Sequence, residues 1–256
     1  MKKLILFLSA FVFINLSISA QGSYGHALTI SKGYSFINSN GLSNITPIGA
    51  DPITDHFISS SINLRSHFKG FIIGAEGNMA RNSNSYGSIF RKNSDPITID
   101  ARLYSGLAQF GYAVLDKSKF KLYPMVGVGA NRTKIQIDRQ QDIDASQIVD
   151  GESMGTTFDL VQRNFLMDFG LGFDYILDCG KKMDKDGADE SKMKSKGLLM
   201  GVKVGYQLAL ENDNWRHNGG DVNNGPNYAP SGFYAKLTLG LASFSDQKKF
   251  WKGDKK

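Results

Sequence analysis

Residues 198–211, Leu-Leu-Met-Gly-Val-Lys-Val-Gly-Tyr-Gln-Leu-Ala-Leu-Glu, decide the fold. Leu198, Met200, Val202, Val204, Tyr206, Leu208 and Leu210 fall on one parity, and Gly201, Lys203, Gly205, Gln207 and Glu211 on the other. Successive side chains of a strand point to opposite faces, so this segment is a strand with one apolar face; a helix would scatter the same residues around its surface.

The same alternation recurs on both sides of this stretch. In 232–244, Phe233, Ala235, Leu237, Leu239 and Leu241 oppose Lys236, Thr238 and Gly240. In 157–177, Phe165, Met167, Phe169, Leu171, Phe173 and Tyr175 oppose Asn164, Asp168, Gly170, Gly172 and Asp174. In 70–81, Phe71, Ile73, Ala75 and Met79 oppose Glu76 and Asn78, and in 97–115, Ile97, Ile99, Ala101 and Leu103 oppose Asp100, Arg102 and Tyr104. Segments 26–37 (its apolar face interrupted by Lys32), 56–68 and 120–133 complete eight predicted strands. Turns at Lys69-Gly70 and Asp116-Lys117-Ser118 are short, whereas the connections after the first, third, fifth and seventh strands are long and polar. The charged stretch 180–197 stands where a short turn is expected.

Alternation alone does not say whether the apolar face meets a core or lipid. Three features favour lipid. The 198–211 pattern is longer than the roughly 5–6 residues of an ordinary strand and covers the about 9–11 tilted residues that cross a bilayer. The polar faces mix glycine with charges of both signs, Arg65, Glu76, Asp100, Arg102, Asp168, Asp174, Lys203, Glu211 and Lys236, which suits a narrow interior of small residues and ion pairs. Aromatic residues crowd the strand ends (Phe57, Phe68, Phe110, Tyr112, Phe120, Tyr123, Phe173, Tyr175, Phe233, Tyr234), as at a membrane interface. The expected fold is therefore all-β, an eight-stranded antiparallel up-and-down transmembrane β-barrel with a side-chain-filled interior.

The ends and composition fit export. Lys2 and Lys3, the apolar run 4–16 and the small residues Ser17, Ser19 and Ala20 read as a signal peptide over 1–20, cleaved before Gln21. The barrel then covers 21–244, and 245–256 is a lysine-rich tail. Loss of Lys2 and Lys3 lowers the formal charge from +6 to +4, too mild an excess to imply nucleic acid. A lone cysteine, Cys179, cannot staple the chain internally.

The placed segments, about 23–244, resemble the small bacterial outer-membrane barrels that include OmpA-like and OmpX-like proteins. The start, ending Ile18-Ser19-Ala20-Gln21, looks like those of Bacteroidetes-type bacteria. The resemblance implies that Phe244 is the aromatic insertion signal read by the barrel-insertion machinery, although strict alternation turns it inward. It also implies outer-membrane lipids as the surroundings and a cell-surface role.

No motif carries catalysis. His67, Ser61 and Glu76 lie on adjacent strands but show no local triad signature. His26, His56 and His217 have no ligand spacing, and 184–190 lacks the acidic twelfth position of a calcium loop, which is Ser195. No residue is assigned to catalysis, a cofactor or a metal. The expected function is non-enzymatic, structural or surface-binding, with the long loops as the place for an extracellular ligand. A small pore, a lipid-modifying barrel enzyme and a soluble ligand-carrying barrel are the alternatives. With Glu76, Arg102, Asp168, Lys203 and Lys236 read as one buried network, Arg102→Ala is expected to destabilise the barrel, checked by loss of the heat-dependent gel shift.

Overall fold

The computed structural model describes residues 24–39, 41–42, 53–82, 97–117, 119–139, 157–178, 194–210, 214–222, 225–226 and 228–245. The proposed signal segment, Cys179, the 184–190 stretch, Glu211 and the tail from 246 lie outside them.

Eight long strands form the wall: β1 (Tyr24–Ile37), β2 (His56–Phe68), β3 (Phe71–Asn82), β4 (Ile97–Tyr112), β5 (Phe120–Arg139), β6 (Thr157–Asp178), β7 (Lys194–Ala209) and β8 (Gly232–Ser245). Each pairs antiparallel with its sequence neighbour. β8 returns to β1, from Tyr24 opposite Ser245 to Ile37 opposite Gly232, and this pairing closes the barrel. The β2–β3 turn uses Lys69 and Gly70 at φ 50° and 84°, the two left-handed positions of a tight hairpin whose twist matches the strands. β4 stops at Tyr112, and Leu115–Asp116 adds a short pairing against Lys121–Leu122.

The alternation resolves into two faces. Outside lie Ile30, Ile62, Leu64, Ile73, Phe110, Val126, Phe169, Leu171, Val202, Leu237 and Leu241, with Leu237 and Leu241 both 69% exposed. Inside lie Arg65, Glu76, Lys121, Asp168, Asp174, Lys203 and Lys236, all buried. At the short-turn end, ring pairs Tyr24–Phe68, Phe71–Tyr112 and Phe120–Tyr175 form an outer girdle with centroids 5.1, 5.3 and 4.9 Å apart. A soluble barrel turns its apolar face inward; this one does the reverse.

Several sequence expectations are corrected. Phe57, Tyr123 and Tyr234 are buried in the interior, not set at an interface. On β4 the two faces are exchanged: Ala101 and Leu103 point inward, while Asp100 and Arg102 share the outer parity with the exposed Tyr104 and Phe110. The reason is an apolar plug inside the long-loop end of the barrel. There Ile37, Phe57, Ala80, Ala101, Leu103, Ile135 and Leu160 meet Leu42, Ile53, Trp215 and Tyr228 from the connections. β5 runs on to Arg139 because Ile135, inward and opposite Leu160, feeds this plug.

Glycine sets how the interior fills. Tyr123 lies opposite Gly172 and Tyr234 opposite Gly205 on neighbouring strands. A Cβ on Gly172 would strike the Tyr123 ring, and one on Gly205 would sit 2.6 Å from Tyr234 Cζ. Each ring lies flat across the wall only because its neighbour has no side chain. Gly172→Leu should therefore overpack the interior and cost about 1–3 kcal/mol. A lower temperature for loss of the compact gel band checks this; an unchanged temperature would show that the ring has room to move.

Candidate functional site

The interior below the plug is built around Glu76 of β3. Its Oε1 accepts from Lys236 Nζ at 2.7 Å, and its Oε2 accepts from Lys203 Nζ at 2.8 Å and from Gln109 Nε2 at 2.8 Å. Asn63 Nδ2 donates to Gln109 Oε1 at 2.7 Å and to Glu76 Oε2 at 3.3 Å. Lys203 also reaches Asp168 Oδ2 at 3.3 Å, to which Tyr234 Oη donates at 3.2 Å. Both ammonium groups lie near the Tyr234 ring, 5.2 Å (Lys203) and 5.0 Å (Lys236) from its centroid. One carboxylate thus ties β2, β3, β4, β7 and β8 together, and Asp168 adds β6.

A second cluster lies toward the short-turn end. Arg65 pairs with Asp174 at 3.0 Å and contacts Tyr123 Oη, which donates to Asp174 Oδ2 at 2.9 Å. Lys121 pairs with Asp116 and sits 4.3 Å from the centroid of the Phe244 ring. Phe244 is buried and meets His67 edge-on at 4.9 Å, so the residue expected to serve as the insertion signal faces the interior. Taken together, the cations Arg65, Lys121, Lys203 and Lys236 face the carboxylates Glu76, Asp116, Asp168 and Asp174, and the signs balance. Buried charges are tolerable on that condition.

Asp100 and Arg102 do not belong to this network. On the outer wall Asp100 is gripped by Arg81, with both contacts at 3.0 Å, and by Arg102. Arg102 therefore lies outside the buried network; it is 37% exposed, and buried Asp100 keeps both its contacts with Arg81 without it, so loss of Arg102 is expected to cost only about 0–1 kcal/mol.

Ser61, His67 and Glu76 do not come together as a nucleophile, base and acid. Ser61 and His67 sit six residues apart on one face of β2, about 20 Å at strand rise, and Glu76 is engaged by two lysines. His26 bonds Ser66, and His56 stands edge-on to Phe36. His217 stacks on Phe158 with centroids 4.0 Å apart. Among the described residues no group of three His, Cys, Asp or Glu is placed to hold a metal. At the plug, Ser39 donates to Asp55, Trp215 Nε1 donates to Pro226 O at 2.7 Å, and burial beside Asp55 holds the Tyr228 phenol above its ordinary pKa.

Sequence reasoning missed a set of arginines on the outer wall. Arg132 of β5 and Arg163 of β6 are directly opposite each other, one row above exposed rings. The readable signal is a change along the outward parity of β6, from the aromatic Phe165 to the cationic Arg163.

Closure, apolar exterior and neutralised charged interior define the class: a membrane-type β-barrel. No family model matches the chain, and no curated protein does. Among solved structures, Neisserial surface protein A is similar at 13% identity and TM-score 0.41, over 85% of this chain and 95% of that one. Ail of Yersinia pestis with the heparin analogue sucrose octasulfate gives 9%, 0.40, 87% and 98%. A major outer membrane protein of Thermus thermophilus gives 10%, 0.37, 86% and 98%. At such values the fold rests on the strand pairing itself.

Removing the hub should be severe. Glu76→Gln leaves two buried ammonium groups short of a charge and should cost about 3–5 kcal/mol, whereas Arg102→Ala should cost about 1 kcal/mol or less. Urea midpoints of the two variants in detergent check the contrast; equal midpoints would contradict it.

Proposed function

We propose that the protein is a bacterial outer-membrane barrel that works as a rigid, side-chain-filled scaffold, without catalysis, and presents its long loops at the cell surface. One observation carries the reading: the outward row from Leu28 to Leu241 is apolar and exposed while the inward row holds paired charges. Such a wall is stable only against hydrocarbon outside and with its own partners inside. Strands of 12 residues or more are long enough for the crossing. Both ends of the barrel wall, Tyr24 and Ser245, share the short-turn end, which is the periplasmic side in barrels of this kind, so the plugged end faces out.

A structural or binding role fits the interior better than transport. The plug, the Glu76 hub and the Arg65–Asp174 cluster fill successive levels of the lumen with large side chains. Loops carried on so stiff a wall are suited to binding an extracellular partner.

The test combines fractionation, gel mobility and conductance. The protein should resist alkaline extraction from membranes, run faster unboiled than boiled, and give no unitary conductance in planar bilayers. Release into the aqueous phase would sink the membrane reading. A steady channel would replace the scaffold with a pore.

A further inference from the structure

The plug rests on a polar layer. Each of β1 to β6 contributes a residue to the plug: Ile37, Phe57, Ala80, Leu103, Ile135 and Leu160. Two positions below each, on the same inward parity, stand Ser35, Ser59, Asn78, Ser105, Thr133 and Gln162. These side chains are hydroxyls and carboxamides, without charge. Going up the lumen, chemistry therefore changes twice, from the charged hub to neutral polar groups and then to the apolar plug.

On β1 to β4 this layer is continuous. Ser31, Ser61, Asn78 and Ser105 are Cα partners in turn across the four strands. Ser31 Oγ lies 3.0 Å from Thr238 Oγ1, Asn78 Nδ2 donates to Ser105 Oγ at 3.4 Å, and Lys236 of the hub donates to Asn78 Oδ1 at 3.0 Å. The hydroxyls of Ser59 and Ser61 are buried beside them and have no hydrogen-bond partner among the described residues.

Two observations point to water. Buried hydroxyls are almost always bonded, to protein or to an ordered water molecule. Ser31, Asn78 and Ser105, although they face inward, keep part of their surface accessible, so there is room next to the two hydroxyls. The serines and the carboxamide around that space offer a water the about two to four polar partners that it needs.

The plug governs how such water comes and goes. Below the layer, Glu76 with its two lysines and the Tyr234 ring fill the lumen. Above it, the wall residues are closed over by Leu42, Ile53, Trp215 and Tyr228, all buried and all carried by connections. Segments outside the strand ladders open locally at far lower cost than the ladders themselves.

We propose that Ser59, Ser61, Asn78 and Ser105 bind a cluster of ordered water, and that the loop-borne half of the plug is the lid through which this water exchanges with the outside. The proposal rests on the reading of the lumen as closed, and adds to it a ligand and a moving part.

The experiment uses the full chain in detergent micelles, with water itself as the probe. Magnetic cross-relaxation from water to the Asn78 side-chain amide should show long-lived contact in wild type. Trp215→Ala should shorten the residence time of that water at least about tenfold, an opening barrier lower by about 1.4 kcal/mol. Tyr228→Ala should act in the same direction and serves if the first variant does not fold; a retained heat-dependent gel shift shows which variants are folded. Ser61→Ala adds an independent sign. A hydroxyl bonded to water lowers the urea midpoint when it is lost, whereas a hydroxyl buried dry raises the midpoint, because an unsatisfied group is removed. Absence of water contact at Asn78, or a raised midpoint for Ser61→Ala, would overturn the site. Equal residence times in wild type and the folded lid variants would overturn the lid. A steady channel formed by wild type in planar bilayers would strike the closed-lumen reading instead.

Discussion

A strand edge exposed to hydrocarbon has nowhere to place its N–H and C=O groups, and each unpaired group costs several kcal/mol. The pairing of β1 with β8, along the whole of both strands, removes that edge. Everything else follows from it. A closed eight-stranded wall has an interior only wide enough for side chains, so each inward position is either small or matched to a partner. Gly172 and Gly205 make way for Tyr123 and Tyr234, and those rings in turn meet the carboxylates and lysines of the lumen.

The lumen is organised in levels. Near the short turns, the ion pairs Arg65–Asp174 and Lys121–Asp116, with the Tyr123 hydroxyl donating to Asp174, lie beside the rings of His67 and Phe244. At mid-height Glu76 gathers two lysines and two amides. At the loop end charge gives way to an apolar plug roofed by Trp215 and Tyr228. The charges inside balance because burial forces neutrality.

Much of this was legible in the residues. The parity of β6, β7 and β8 assigned Asp168, Asp174, Lys203 and Lys236 to the inner face, because one side of each strand is almost wholly apolar. β4 misled for a physical reason: its inner face is apolar where it meets the plug, so Ala101 and Leu103 resemble lipid-facing residues and Asp100 and Arg102 resemble lumen residues. Strand β5 outran its expected end at Thr133 for the same cause. Leu42, Ile53, Trp215 and Tyr228 join the plug from connections whose position depends on closure, which alternation cannot encode. The arginine pair depends on register between β5 and β6 and was visible only as a change of chemistry along one parity.

The central claim is that the apolar face meets lipid and the polar face fills the lumen. Tryptophan quenching by brominated acyl chains tests it most directly. In membranes, a chain whose sole tryptophan is placed by Leu237→Trp, with Trp215 and Trp251 replaced by Phe, should be strongly quenched. A chain retaining only Trp215, buried in the plug, should not be. Strong quenching of Trp215 together with protection at position 237 would mean that the faces are reversed, and the account of the barrel would fall.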